Sequence, residues 1–196
     1  MINVRPVTLT DSAVTLVPLE QAHATDLSAA AAEGELWKTW CTAVPHPDLV
    51  ADEIKRRLDM QANGNMLPFA VLTTDGKAVG MTTYMNIEAA HKRLEIGSTW
   101  YRKSVQRGPL NSQAKRLLLG HAFDDLGCNV VEFRTHFMNH QSRAAIERLG
   151  AKLDGVLRSH QITADGSLRD TCVYSILAHE WPAVRANLTW KLSTSK

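Results

Sequence analysis

The chain has 196 residues, 44% of them hydrophobic and 21% charged, with a formal net charge of +2. That length buries a core without disulfides or metal, most simply as one domain over residues 1–196. So small a net charge gives no reason to expect a nucleic-acid or membrane partner. The longest apolar run, around Leu117, Leu118 and Leu119, is far short of a membrane span. Residues 1–11 lack the apolar stretch of a signal peptide. Cys41, Cys128 and Cys172 stand apart, with no Cys/His spacing that would ligate a metal. They read as free thiols in a reducing, cytoplasmic compartment.

Along the chain, residues 15–19 alternate as a short strand and the Ala-rich 21–33 suit a helix. Residues 35–42, ELWKTWCT, are aromatic and irregular. Asp48 reads as the cap of a helix that carries Leu49, Ile54 and Leu58 on one stripe and ends at Gly64. Strands at 68–74 and 78–87 flank Asp75-Gly76, a hairpin signal, and 94–101 is a third strand. A helix opening on Asn111 and Ser112 follows, with Ala114, Leu117, Leu118, Ala122 and Leu126 on one face and Gly127 as its cap. A strand at 130–136 leads to Asn139, the cap of a helix over 141–149. Strands at 151–162 and 169–177 turn at Asp165-Gly166-Ser167. A helical piece, 180–192, and a loose tail, 193–196, finish the chain. The passage from 94–101 through a helix to 130–136 is a βαβ unit, so these strands are expected to lie parallel and adjacent. Ligands in such sheets bind at strand C-terminal ends beside helix N-termini.

Residues 104–123, SVQRGPLNSQAKRLLLGHAF, occupy that place. The first N–H groups of the helix lack partners inside it, and the helix dipole points at the same spot. A pyrophosphate would fit there, with Arg107 adding a charge-assisted contact. A plain helix start capped by Asn111 or Ser112 explains the same residues. The stretch is neither a Walker loop nor a GxGxxG turn, which argues against a nucleotide-binding Rossmann protein.

The run LEIGSTWYRKSVQRGPLNSQAKRLLLGHAFDDLGCNVVEFRTHFMNHQSRAAIERLGA, continued by GVLRSHQITADGSLRDTCVYSIL, resembles the GNAT superfamily of acyl-CoA-dependent N-acyltransferases, in its RimJ/RimL-like branch. The resemblance covers about 8–181, leaving 182–196 as a helical extension. It implies an α/β (α+β) GNAT fold, a mixed central sheet of about seven strands flanked by helices around a βαβ acyl-CoA-binding unit. It implies acetyl-CoA as cofactor, no metal, and acetyl transfer to a primary amine, at a protein N-terminus or on a small molecule, by direct attack in a ternary complex. A homodimer is compatible with it. The alternative is a GNAT-fold protein that binds CoA or regulates without catalysing.

That alternative draws on Pro109. The family's pyrophosphate loop reads Gln/Arg, two free positions, Gly, one free position, then Gly or Ala. Here the register is Gln106, Arg107, Gly108, Pro109, Leu110, Asn111, so Pro109 and Asn111 stand at the two small-residue positions. Proline donates no hydrogen bond and restricts Gly108 before it. Retained binding then requires Gly108 to re-route the loop so that Leu110, Asn111 and Ser112 supply the N–H groups.

The resemblance also implies residue roles. Ile96, Gly97, Ser98, Thr99 and Trp100 offer backbone groups to the pantetheine arm and thioester carbonyl; Trp100 suits a core position equally well. Asn139 and Ser142 match the pattern N-x-x-S, in which Asn contacts the arm and Ser, a proposed acid, sits near the leaving sulfur. A helix cap and a first-turn polar residue explain them as well. Arg143 stands where it could approach the CoA phosphates, or be solvated or ion-paired. Glu95 is the candidate general base, or a surface strand residue. Trp37, Trp40, His136, His160 and Asp170 are candidates to shape the acceptor site; core packing accounts equally for the tryptophans, and a structural role for His136.

Overall fold

The computed structural model describes residues 1–163 and 165–194. Its strands are β1 (Leu9–Asp11), β2 (Val14–Pro18), β3 (Met66–Leu72), β4 (Ala78–Glu88), β5 (Arg93–Tyr101), β6 (Val130–His136), β7 (Lys152–Ile162) and β8 (Leu168–Leu177). They form one sheet in the order β1-β2-β3-β4-β5-β6-β8-β7. The sheet thus has eight strands, not about seven. The additional one, β1, spans three residues and pairs Leu9 with Leu16, too short a run for alternation to reveal. The first hairpin forms where Asp75-Gly76 placed it, with Gly76 at φ +81° and its N–H on the Thr73 carbonyl at 2.9 Å. Ala164, in the late hairpin, lies outside the described residues.

Five α-helices cover the sheet: α1 (Ala24–Ala32), α2 (Val50–Ala62), α3 (Leu110–Gly120), α4 (His140–Leu149) and α5 (Trp181–Thr194). Leu27, Ala31, Val50 and Ile54 of α1 and α2 bury against Ala70, Met81 and Trp100. Leu110, Ala114 and Leu118 of α3, Ile146 and Leu149 of α4, and Leu188 of α5 join Tyr84, Ile96 and Phe133 in a second core. Among the described residues no helix is long and apolar enough to cross a membrane.

Helix ends differ from expectation in four places. Asp48 is not the cap of α2: His46 Nδ1 accepts from the Asp48 N–H at 3.3 Å, and a 3-10 turn (Pro47–Leu49) leads in. Asn111 and Ser112 do not open α3, because Pro109 holds the N-cap position with helical angles and the helix starts at Leu110. The proline ring fixes φ near the helical value, so it suits a helix entrance. The stripe toward Leu126 leaves α3 at Gly120 and continues through a π-turn (His121–Asp125). Finally, Ser193 and Thr194, expected to be loose, form the last turn of α5, their hydroxyls donating to the Trp190 carbonyl. Ser195 and Lys196 lie outside the described residues.

β5 and β6 are parallel neighbours, as the βαβ reading requires, but over three pairs only, from Arg93–Val130 to Glu95–Glu132. Beyond them β5 pairs with β4, and β6 with β8. β5 also bulges. Met81 faces Trp100 and Thr83 faces Gly97, so Ser98 and Thr99 together oppose Thr82. Ser98 takes a left-handed φ of +48° there.

Candidate active site

Where β5 and β6 part after Glu95, the sheet opens a wedge in its own interior. The bulged half of β5 forms one side, and Phe133–His136 of β6 the other. A strand edge left unpaired inside a sheet presents N–H and C=O groups, and an extended, amide-bearing molecule satisfies them as an added strand would. Ser98 is exposed and Thr99 half-buried at this edge. Trp100 is 5% exposed, its ring packed in the α1/α2 core, so only its backbone is free to serve the wedge.

The N-terminus of α3 follows β5 after one short loop. Gln106 is anchored, its Nε2 donating to the Tyr101 carbonyl at 2.8 Å. Arg107 is exposed, with φ +64°. Among the described residues, nothing accepts from the N–H groups of Arg107, Gly108, Leu110, Asn111 or Ser112; the first bond into the helix runs from Gln113 to the Pro109 carbonyl at 2.9 Å. Pro109 therefore interrupts this run of donors and costs it one N–H. The helix keeps three free N–H groups and the positive end of its dipole, the chemistry of an anion site.

At the second helix entrance, Asn139 caps α4: its Oδ1 accepts from the Ser142 N–H at 3.0 Å. Its amide nitrogen is left over, and Ser142 Oγ has no hydrogen bond among the described residues. Arg143 is held locally, with Nε on the Tyr174 hydroxyl at 3.0 Å, Nη1 on the Phe137 carbonyl at 3.1 Å and the guanidinium 4.7 Å over the Phe137 ring.

Glu95 is 5% exposed. The Asn86 amide donates to its Oε2 at 2.8 Å, and Arg134 Nε lies 3.5 Å from the same atom. Burial pushes its carboxyl above the usual range, and Asn86, Arg134 and Arg169 pull it back only in part. A carboxylate raised in this way is a better proton acceptor near neutrality. Gly97 makes room for it: a Cβ there would lie 2.8 Å from Glu95 Oε1 and 2.7 Å from Met85 Sδ. Asn86 and Arg134, the partners of this carboxylate, also line a cleft of about 430 Å³ with Met60, Met66, Met85 and Glu88. A separate groove of about 380 Å³ lies between α3 and α5, near His121 and Trp181.

Residues 13–152 match the family described as "Acetyltransferase (GNAT) domain". The chain belongs to the GNAT acetyltransferase family. That is a family of acetyl-CoA-dependent N-acetyltransferases. YdaF of Bacillus subtilis (strain 168), named as a candidate ribosomal N-acetyltransferase, is 32% identical over 112 residues. The match spans 57% of this chain and 60% of that protein's length. A GCN5-related N-acetyltransferase from Brucella melitensis superposes with a TM-score of 0.87 at 30% identity, over 97% of this chain and 87% of that one. Mycobacterium smegmatis RimJ, solved with CoA-disulfide, shares the fold at a TM-score of 0.80 and 23% identity, over 95% of each chain.

On the opposite flank of this GNAT wedge, Trp40 is 61% exposed and its ring meets His136, at the end of β6, with centroids 4.9 Å apart. Trp37 is half-buried and packs on His46 instead. His136 Nδ1 accepts from the Met138 N–H at 3.0 Å; burial and then Arg169 lower its pKa, Asp170 opposing them. Asp170 is engaged by the Ser159 N–H at 2.7 Å and Arg158 at 2.6 Å, and His160 Nδ1 contacts Thr171 Oγ1 at 3.1 Å. The structure thus brings Trp40 and His136 together, and gives His160 and Asp170 partners within their own hairpin.

Two site-adjacent residues escaped the sequence reading. Arg57 of α2, 1% exposed, ion-pairs with Glu53 at 2.7 Å and donates to the Ser98 carbonyl at 3.3 and 3.4 Å. Lys115 of α3 meets Thr99 from the other layer at 2.8 Å. Each charge stands at helical spacing from apolar core residues, Arg57 three after Ile54 and Lys115 four before Leu119. A charge on a buried stripe was the available signal.

Proposed function

We propose that this protein transfers an acetyl group from acetyl-CoA to a primary amine by direct attack in a ternary complex. Support for the reading is one juxtaposition: β5 and β6 part directly after buried Glu95, and the free N–H groups of α3 stand one short loop from the parted strand. The residues suit acetyl-CoA. Gly108, Leu110, Asn111 and Ser112 would hold its pyrophosphate through backbone N–H groups, with Gln106 anchoring the loop and Arg107 adding charge. Residues Ile96 to Trp100 would pair with the arm by backbone, and the Asn139 amide would donate to it. When bound, acetyl-CoA supplies the acyl group as a thioester.

Glu95 accepts, directly or through water, the proton that the attacking amine loses. Backbone N–H groups of the β5 bulge hold the oxyanion as the C–N bond forms. Ser142 Oγ, free of other partners, protonates the sulfur as the C–S bond breaks. Trp40 and His136 flank the acceptor, while His160 and Asp170 stand farther out on its rim and Trp37 backs the segment that carries Trp40. Neither a nucleic acid nor a membrane is needed as partner, and a cytoplasmic location suits the reaction. The YdaF name makes the α-amine of a ribosomal protein the first acceptor to try.

Calorimetric titration with acetyl-CoA, and CoA alongside, tests the donor site. Binding in the micromolar range is expected, followed by thiol release in a screen of N-terminal peptides and small amines. Folded protein that binds neither ligand would overturn the reading.

A further inference from the structure

Lys115 is a buried titratable group that the chemistry above does not use. It is 6% exposed, and its Nζ donates to Thr99 Oγ1 at 2.8 Å and to Thr82 Oγ1 at 3.3 Å. No carboxylate accompanies it among the described residues, and burial alone lowers its pKa to about 7. Arg57, its counterpart on the other layer, is by contrast paired with Glu53. Placing an amine in a core without a counter-charge is costly, and an apolar side chain of similar length would fill the space without that cost.

The location of this cost is informative. Thr99 and Ser98 are the two residues of the bulge, and Thr82 is the single residue opposite them. The two hydroxyls lie 2.8 Å apart, and Thr99 Oγ1 is 3.4 Å from the Gly97 carbonyl. One amine therefore ties both strands together where their register is irregular. Lys115 also stands about one turn along α3 from Asn111 and Ser112, whose N–H groups open at the helix entrance. It is a direct side-chain link between that entrance helix and the unpaired edge of β5.

We propose that Lys115 is a positioning residue for acyl transfer: by holding Thr99 and Thr82 it fixes the β5 bulge, and with it the backbone N–H groups that meet the thioester carbonyl. This rests on the acetyl-transfer reading above. Without the amine the bulge relaxes and the carbonyl is less polarised, while the pyrophosphate contacts at the start of α3 persist. The loss falls on kcat and spares the affinity for acetyl-CoA.

The test uses the full chain with [1-13C]acetyl-CoA. The carbonyl stretch of the bound thioester is read by infrared spectroscopy beside kcat and Kd, for wild type, Lys115→Met, Thr99→Val and Thr99→Ser. In Lys115→Met and Thr99→Val, a smaller red-shift than in wild type is expected, with kcat down about tenfold or more and Kd within about threefold. Thr99→Ser keeps the hydroxyl and is expected to recover most of the red-shift and kcat that Thr99→Val loses. A folded Lys115→Met or Thr99→Val protein with the wild-type frequency and kcat would overturn the proposal, as would a loss of affinity with kcat retained. If Lys115→Met does not fold, Thr99→Val decides alone. The carbonyl reading needs no acceptor, so an unsuccessful amine screen leaves it decisive; a wild type that binds no acetyl-CoA defeats the functional reading and this one together.

Discussion

Glu95 illustrates how one residue's environment sets its chemistry. On a surface strand it would be an ordinary carboxylate. On β5 it is buried over Gly97, with Asn86 and the distant face of Arg134 as incomplete compensation. The raised pKa gives a pH dependence with a definite sign. Proton acceptance requires the ionised form, so kcat/KM falls as pH drops through a pKa above the ordinary 4.5. Glu95→Gln keeps the shape and the Asn86 contact but cannot accept a proton. We expect kcat/KM to fall by about 10²-fold or more at neutral pH, with the acidic limb gone and the Kd for acetyl-CoA unchanged. Wild-type turnover in Glu95→Gln would move the proton acceptor elsewhere.

At the scale of elements, the α3 entrance answers the question that Pro109 poses. Proline at N-cap removes one of the four N–H groups that a helix start leaves free, but those of Leu110, Asn111 and Ser112 remain, with Gly108 ahead of them. Replacing Pro109 with Gly adds one N–H but also frees the chain ahead of the helix. Acetyl-CoA affinity is expected to stay within about threefold of wild type; a gain of about tenfold, one charge-assisted bond, would show that the missing donor matters. Strands, the βαβ unit and the Asn139 cap were legible because alternation, crossover length and cap chemistry are written in local patterns. β1 was not, because three residues carry no period. The bulge was not either: one extra residue alters no composition, and its presence follows from pairing with β4. The placement of Lys115 depends on that bulge, so its partners were invisible to any reading of α3 alone.

For the molecule as a whole, the sheet is gripped at the bulge from both faces, by a paired charge from α2 and an unpaired amine from α3. The second grip carries a thermodynamic signature. Lys115 has an ordinary pKa of 10.5 in the unfolded chain and about 7 in the folded protein. Between those values the unfolded state binds the extra proton, so stability rises with pH. The contribution is full above 10.5, declines as pH falls, and is lost once pH passes below about 7, where both states are charged. The slope in that window is at most about 1.4 kcal/mol per pH unit. Lys115→Met removes the titration and leaves every other group in place. Denaturant unfolding of both proteins from about pH 7 to 9.5 should show the variant more stable at the neutral end and the gap closing with alkalinity, because the folded chain gives up a proton that the unfolded chain keeps, at a cost that grows as pH falls toward about 7. Parallel stability curves would mean that the amine keeps an ordinary pKa inside the fold. Burying this lysine beneath the bulge would then cost little.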